Sequence, residues 1–144
     1  MVTVRRRVIR TLWGFHRWLY RATRGRLGSR LVGMPVMLLT TTGRRTGRHH
    51  TTSLTYLPHG SNFVVIGSNG GASKHPDWVL NLRANPRAIV QILNRRIAIR
   101  AREVEDAERS QLWNRAVQRY SGYAAYQSRT KRTIPLIILE PAEN

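Results

Sequence analysis

The spacing of apolar residues predicts an N-terminal helix ahead of the main domain. Near the start of the chain, apolar residues recur at intervals of three and four, which is the repeat of one stripe along a helix. The stripe comprises Val4, Val8, Leu12, Phe15 and Leu19, and it is flanked by Trp13, Trp18 and Tyr20. Gly25, Gly28 and Gly33 indicate a loop after it. We expect a helix and linker over residues 1–30 and a domain over residues 31–144.

Beyond the linker, short apolar runs separated by turn signals predict antiparallel strands. The predicted strands are residues 34–42, 51–57, 62–68, 88–93, 97–104 and 133–139. The first three, joined by turns at residues 43–47 and 58–61, predict a meander. The next two predict a hairpin that turns at residues 94–96.

Two segments predict helices. Pro76 suits a first helical turn, and the apolar residues after it predict a short helix that ends near residues 85–86. Residues 106–120 predict a longer helix with a core face of Leu112, Trp113, Ala116 and Val117. Short antiparallel strands with few helices favour an α+β fold built on a small barrel over a doubly wound parallel sheet.

Composition points to an anionic partner. The chain has 144 residues, which suits one domain, and 25 Lys and Arg against 7 Asp and Glu give a net charge of +18. Such an excess suits phosphate, nucleic acid or an anionic membrane surface. The chain has no cysteine, which excludes disulfides, thiolate nucleophiles and thiolate metal sites.

No segment has the apolar length of a membrane-spanning helix or of a signal peptide core. We therefore expect a cytoplasmic protein. The basic, tryptophan-bearing N-terminal helix leaves two alternatives open. It either rests on an anionic membrane surface, on the inner face of the cell membrane, or packs on the domain with its arginines in water.

The sequence has few residues that are spaced for acid–base catalysis or for metal binding. No two of the seven carboxylates are spaced as a hydrolytic dyad. The five histidines lack the spacing of a zinc site, and His49 and His50 would point to opposite faces of a strand. We expect no metal site.

Two clusters are candidates for binding. Residues 43–48 (GRRTGR) combine flanking glycines, whose backbone amides can converge on an anion, with three arginines. The alternative is a hairpin turn with solvated arginines. Tyr120, Tyr123 and Tyr126 share one helical spacing and could cover a flat ligand, or they could simply be core.

Three ordered motifs resemble the deazaflavin-dependent nitroreductase family of actinobacteria. They are residues 38–47 (LLTTTGRRTG), residues 70–86 (GGASKHPDWVLNLRANP) and residues 120–141, which include YSGYAAYQ and RTIP. The resemblance runs from about Met34 to Pro141 and implies a split β-barrel that binds coenzyme F420. This cofactor is a deazaflavin hydride donor with a phosphate and an oligoglutamate tail, which suits a chain rich in arginine.

The resemblance also implies which residues contact the cofactor. Residues that would hold the tail are Arg44, Arg45 and Thr46. Those along the ring and its side chain are His50, Thr51, Thr52, Ser53 and Leu54. Those that would offer backbone amides are Ile66, Gly67, Ser68 and Asn69. Those of the opposite wall are Asp77, Trp78, Val79, Leu80 and Asn81. On the acceptor side we expect Ser68, Tyr120, Tyr123 and Tyr126, with a hydroxyl polarising the acceptor.

The chain departs from the family pattern at His50, Asn69 and Thr55, where the nitroreductase has arginine, lysine and tyrosine. We expect Arg48 to replace some tail contacts, and the acceptor pocket to differ. The leading hypothesis is an oxidoreductase that passes hydride from reduced F420 to a quinone, enone or nitro compound. The alternatives are an F420 carrier with little catalysis and, from charge alone, a nucleic-acid binder, which the missing recognition motifs disfavour.

Overall fold

The structure is a computed structural model that describes residues 30–31 and 33–142. The predicted N-terminal helix lies outside the described residues, whereas Arg30, the last residue of the predicted linker, lies in a short strand. The strands are β1 (Arg30–Leu31), β2 (Met34–Thr42), β3 (His49–Thr55), β4 (Leu57–His59), β5 (Asn62–Ile66), β6 (Arg87–Ile92), β7 (Arg95–Glu103) and β8 (Leu136–Pro141). The helices are α1 (Asp77–Ala84), α2 (Asp106–Arg119) and α3 (Gly122–Ser128), and a 3-10 turn covers Asn69–Gly71.

The strands form one antiparallel sheet in the order β1-β2-β6-β7-β8-β5-β4, with β3 paired to β2. The chain thus pairs strands that are far apart in sequence, and the sheet curls into a half-barrel. The α+β class and the barrel architecture expected from the sequence are confirmed. None of the described helices combines the length and the apolar character needed to cross a membrane.

The predicted meander is correct for its first hairpin, in which β2 pairs with β3, and wrong for its third strand. Leu57 does not continue β3: the strand ends at Thr55, and Leu57 starts β4 after the amide of Tyr56 bonds back to the carbonyl of Pro35 at 3.1 Å. Strand β5 pairs with β4 and β8 and not with β3. An apolar run predicts a strand, but it carries no information on which strand will be its partner.

Several element boundaries also differ from the prediction. The β6–β7 turn consists of two residues, because Leu93 adopts a left-handed φ of 54° and β7 begins at Arg95. Strand β8 begins at Leu136, three residues later than predicted, and helix α3 was predicted only as a helical spacing of tyrosines. Helices α1 and α2 match the predicted segments within one residue.

Two apolar clusters form the core. The first joins β2, β5 and β6 to α1 and includes Met37, Leu39, Val65, Val79 and Leu82. The second lies under α2 and α3 and includes Leu112, Ala116, Tyr123, Ile134 and Ile138. Each fully buried side chain of this kind contributes about 1.5–3 kcal/mol, so the clusters fix both helical layers against the sheet. Of the predicted α2 core face, Leu112 and Ala116 are buried, while Trp113 and Val117 are partly buried.

Candidate functional site

The β2–β3 connection is a tight loop that is closed by its own backbone. The amide of Gly43 donates to the carbonyl of Arg48 at 2.7 Å, and the amide of Gly47 donates to the carbonyl of Gly43 at 2.8 Å. Gly47 has a φ of 72°, a left-handed conformation that glycine adopts without strain. The Thr46 hydroxyl accepts from the amide of Arg48 at 3.2 Å. These bonds give the loop a defined shape without the help of a ligand.

Arg44 ties this loop to helix α1. Its backbone amide and its guanidinium both donate to Oδ1 of Asn81, at 3.2 and 3.0 Å. The guanidinium also pairs with Oδ1 of Asp77 at 3.3 Å. Asn81 in turn donates to the hydroxyl of Thr41 at 3.2 Å, and both side chains are buried. These bonds therefore connect the RRTG motif, residues 44–47, to the first turns of α1.

The other two arginines of the loop behave differently. Arg45 and Arg48 are exposed, and within residues 33–142 their side chains make no ion pair or hydrogen bond. Guanidinium groups that project from an ordered loop are suited to charge-assisted bonds with a phosphate or carboxylate. Thus Arg44 has a structural partner, whereas Arg45 and Arg48 are available to a ligand.

The predicted contact residues on strand β3 point alternately to the two faces of the sheet. The register pairs His50 with Thr41 and Thr52 with Leu39, so His50, Thr52 and Leu54 share the face of the first core cluster. Thr51 and Ser53 point the other way, and the hydroxyl of Thr51 lies 2.8 Å from that of Thr40. A ligand on one face of β3 contacts the side chains of only one of these sets.

An open cleft of about 470 Å³ lies on the Thr51 face of the sheet. It is lined by Leu38, Thr40, His49, Thr51, Ile89, Gln91 and Arg96. The helix α1 wall, with Trp78 and Val79 buried in the first core cluster, belongs to the opposite face. Of the predicted contact residues, this cleft includes only Thr51.

Gly43 and Gly67 are two points at which the backbone closely approaches other parts of the chain. A Cβ atom at Gly43 would lie 2.7 Å from Nε2 of His50, so glycine lets the imidazole lie against the loop. A Cβ atom at Gly67 would lie 2.7 Å from Pro135 and 2.8 Å from Val79. The chain after β5 is therefore pressed between α1 and the segment that precedes β8.

Residues 67–72, which we call the Ser68 loop, connect β5 to the region before α1. Ser68 is half-buried and Asn69 is exposed with a φ of 46°. The loop also touches α3, because a Cβ atom at Gly71 would lie 2.8 Å from the backbone oxygen of Tyr126. The structure thus places the loop that contains Ser68 against the helix that carries Tyr126.

The three tyrosines pack edge to face, with ring centroids 5.2 to 6.3 Å apart. The hydroxyls of Tyr120 and Tyr126 lie 3.2 Å apart, and both side chains are half-buried. Tyr123 is only 5% exposed, and its hydroxyl lies 3.0 Å from that of Thr55. Tyr123 is therefore a core residue with a satisfied hydroxyl, while the other two rings reach the surface.

The surroundings of Tyr123 and Tyr126 keep these two hydroxyls protonated. The hydrogen bond with Tyr120, followed by burial, raises the pKa of Tyr126, and burial raises the pKa of Tyr123. A neutral phenol can donate a hydrogen bond at every pH near neutrality. The half-buried hydroxyl of Tyr126 can thus polarise an oxygen atom of a ligand.

Sequence reasoning missed Arg132, which belongs to the RTIP motif. Its guanidinium bonds to the carbonyl oxygens of Gly67 and Ser68 and to the ring of His75. The available signal was the RTIP motif itself, residues 132–135. Thr41, the buried partner of Asn81, was also missed.

Comparisons with known proteins identify the family. The family model described as F420H(2)-dependent quinone reductase matches residues 13–141. An F420H(2)-dependent quinone reductase of Mycobacterium tuberculosis is 38% identical over 128 residues, which are 86% of this chain and 86% of that protein. A second protein of the same organism, which carries the name "Putative F420H(2)-dependent quinone reductase", is 36% identical over 75% of this chain and 91% of its own length.

Solved structures agree with the family match. A structure described as an F420-H2 dependent reductase has a TM-score of 0.68 and 38% identity, and covers 74% of this chain and 94% of that one. A structure described as a domain-swapped dimer has the same TM-score and identity, with 74% and 80% coverage. A heme binding protein from Mycobacterium smegmatis, 19% identical with a TM-score of 0.55 over 72% of this chain and 45% of that one, shares the fold alone.

These matches confirm the oxidoreductase class and the coenzyme F420 that the sequence motifs implied. The match of the family model spans nearly the whole chain, and the relatives are similar over most of their own length. The chain belongs to the F420H(2)-dependent quinone reductase family.

Proposed function

We propose that this chain transfers hydride from reduced coenzyme F420 to a quinone-type acceptor in the groove between the β2–β3 loop, α1 and the Ser68 loop. The proposal rests on one observation: the arginines of the β2–β3 loop differ in their partners. Arg44 fastens the loop to α1, and Arg45 and Arg48 remain exposed on a framework that is already ordered. Such an arrangement provides fixed cationic donors at one end of a groove.

The chemistry of this donor set fits the anionic part of F420. A phosphate and several glutamates would bind to Arg45, Thr46 and Arg48, while Arg44 holds the loop in place. Guanidinium groups form bidentate contacts with both kinds of oxyanion. His50 stands at the start of the same face and adds a further donor beside the loop.

The ring of the cofactor would then lie farther along this face. The residues proposed to line it are Thr52, Leu54, Trp78, Val79, Leu80 and Asn81, with the backbone of Ile66, Gly67, Ser68 and Asn69 at its edge. Thr51 and Ser53 would contribute through their backbone, since their side chains lie on the other face. When bound, reduced F420 supplies the hydride from its ring carbon at position five. The chain's own task is to align the two reactants and to exclude water.

The acceptor would be bound by the half-buried edge of the tyrosine cluster. The hydroxyls of Tyr120 and Tyr126 lie 3.2 Å apart, and the backbone of Tyr126 touches the Ser68 loop. A hydroxyl of Tyr126 or Ser68 can donate to a quinone oxygen, which gains negative charge as hydride arrives. Tyr123 is proposed to hold the cluster in position through Thr55.

Two measurements test this function on the full-length protein. Titration with oxidised F420, followed by its fluorescence, should give saturable binding that flavin and nicotinamide nucleotides do not displace. Turnover of menadione with reduced F420 then distinguishes an enzyme from a carrier. Tight binding without turnover would reject the reductase and favour the carrier, and no saturable binding would reject both.

We further propose that residues 1–30 attach the protein to an anionic membrane surface. The sequence of this segment combines nine arginines with an apolar stripe and two tryptophans. Quinones reside in the bilayer, so a reductase of quinones gains from resting on its surface. The competing proposal is that the segment packs on the barrel.

A further inference from the structure

The side chain of Arg132 forms hydrogen bonds with several polar groups of the segment between β5 and α1. Its guanidinium donates to the carbonyl oxygens of Gly67 at 3.1 Å, Ser68 at 2.8 Å and Ala72 at 2.8 Å. It also lies 3.0 Å from Nδ1 of His75. One half-buried side chain thus holds both ends of the Ser68 loop and His75, which lies two residues before α1.

These bonds determine where the amides of the loop point. A trans peptide unit is planar, so its N–H points away from its C=O. Because Arg132 holds the carbonyls of Gly67 and Ser68, the amides of Ser68 and Asn69 are directed to the opposite side. Neither amide makes a backbone hydrogen bond within residues 33–142.

The backbone conformation brings these amides together. Ser68 is right-handed, with a φ of −71° and a ψ of −34°, and Asn69 has a left-handed φ of 46°. In this alternation, successive N–H groups converge and can share one electronegative atom. Asparagine tolerates the left-handed region better than most residues, but this conformation still depends on surrounding contacts to persist.

We infer that Arg132 is a positioning residue for hydride transfer, which holds the Ser68 loop so that the amides of Ser68 and Asn69 face the bound reactants. The inference rests on the proposed function, because it takes the Ser68 loop to border the cofactor. Arg132 itself touches neither reactant, since its donors are directed to the far side of the loop. Its contribution is to prevent the loop from turning its carbonyl oxygens toward the groove.

His75 makes this arrangement sensitive to pH. Arginine has only donors, so Nδ1 of His75 must accept, and the imidazole must be neutral. Burial lowers the pKa of His75 most, the nearby Arg83 and Arg132 lower it further, and Glu103 opposes them. Protonation of His75 would remove the acceptor and place two cations against each other, which weakens the hold of Arg132 on the loop.

Arg115 provides a matched control. Its guanidinium also bonds to a histidine ring, His59 at 2.9 Å, and to a carbonyl oxygen, that of Pro58 at 3.0 Å. Arg115 lies on α2 and its two partners lie on β4, and none of the three belongs to the proposed groove. Arg132→Ala and Arg115→Ala therefore remove the same kinds of bond, one at the Ser68 loop and one away from it.

The first measurement follows the loop without any cofactor. The amides of Gly71 and Ala72 donate to the carbonyls of Ser68 and Asn69, so their hydrogen exchange reports the order of the loop. We expect exchange at these two amides to accelerate about tenfold or more in Arg132→Ala, with strand β5 unchanged. Arg115→Ala should leave both unchanged. Unaltered exchange in Arg132→Ala would overturn the inference.

The second measurement is activity with reduced F420 and menadione. Arg132→Ala should lower kcat about ten- to a hundredfold, with a smaller change in the affinity for F420, because the tail contacts remain. Arg132→Lys should restore part of kcat, since an ammonium retains some of the carbonyl bonds. Faster exchange with unchanged kcat would overturn the positioning role. Failure of the wild-type protein to bind F420 would instead reject the proposed function.

The pH profile distinguishes positioning from simple support of the fold. Wild-type kcat should fall on acidification below about pH 6.5, as His75 gains a proton. His75→Asn keeps an acceptor near the guanidinium but cannot titrate, so this step in the profile should disappear. A step that persists in His75→Asn would assign the pH dependence to another group and would overturn this part of the inference.

Discussion

Asn81 donates its side-chain amide to the hydroxyl of Thr41 across 3.2 Å, and both side chains are almost fully buried. The same Asn81 accepts two bonds from Arg44 through its Oδ1 atom. One polar side chain of α1 therefore satisfies both the end of β2 and the loop that follows it. Buried polar groups are tolerated in a core only when they are paired in this way.

Removing this side chain should destabilise the protein. Asn81→Ala leaves the Thr41 hydroxyl and the Arg44 amide without their partner, and we expect the free energy of unfolding to fall by about 1–3 kcal/mol. Urea unfolding measures the loss. The control is Asn85→Ala at the end of the same helix, which removes a local bond to the amide of Arg87. Equal losses for the two variants would contradict a special role of Asn81.

The cationic loop should bind the tail of F420 through Arg45. Arg45→Ala should weaken F420 binding about ten- to a hundredfold at low salt, since a charge-assisted bond contributes about 1.5–3 kcal/mol. High salt should reduce the difference between variant and wild type. Fluorescence titration at two ionic strengths provides the measurement.

Arg95→Ala is the matched control for this loop. Arg95 is also exposed, but it lies at the β6–β7 turn. The register pairs Gln91 with Leu38 and Ile89 with Thr40, so this turn is directed away from the β2–β3 loop. Arg95→Ala changes the net charge equally and should leave the affinity nearly unchanged. Equal weakening in both variants would point to general attraction of anions and not to a site.

The hydroxyl of Tyr126 should act on the acceptor. Tyr126→Phe preserves the ring packing, so we expect folding and F420 affinity to be kept and menadione turnover to fall about ten- to a hundredfold. Because its pKa is raised, the phenol stays protonated near neutral pH. The ratio of wild-type to variant turnover should therefore be constant from about pH 6 to 9.

Tyr123→Phe provides the comparison within the same cluster. It removes the bond to Thr55 from the core, so it should lower the free energy of unfolding by about 1 kcal/mol and affect turnover less than Tyr126→Phe. If Tyr126→Phe turns over menadione at the wild-type rate, the polarising group lies elsewhere, with Ser68 as the next candidate.

The sequence predicted the helices and the barrel class because these depend on local signals. Helix α1 follows from a proline before an apolar-rich segment, and helix α2 from the spacing of Leu112 and Ala116. The pairing of β5 with β8 could not be predicted, since about seventy residues separate Val65 from its partner Ile137 and periodicity says nothing about the partner of a strand.

The sequence motifs predicted which residues lie at the candidate site, but they did not predict which partner each side chain has. The motif placed Arg44 and Arg45 together, yet only the structure shows that Arg44 is bound to Asp77 and Asn81, whereas Arg45 makes no ion pair within residues 33–142. Arg132 was present in a recognised motif, but its partners lie about sixty residues away and are backbone carbonyls, which have no sequence signature.

The N-terminal segment should bind to anionic membranes. Each arginine near an anionic surface contributes about 1 kcal/mol, so several can sustain reversible binding without a spanning helix. We expect the full chain to co-sediment with vesicles of anionic lipid at low salt and to be released at high salt. Removing residues 1–29, which stops before β1, should abolish sedimentation and preserve turnover of soluble menadione. The charge control compares glutamine at Arg5, Arg6 and Arg7 with glutamine at the exposed Arg95, Arg96 and Arg100. Both variants lose three charges, but only the first should be released from vesicles. Equal sedimentation of the full-length and the truncated protein would instead favour packing of the segment on the barrel.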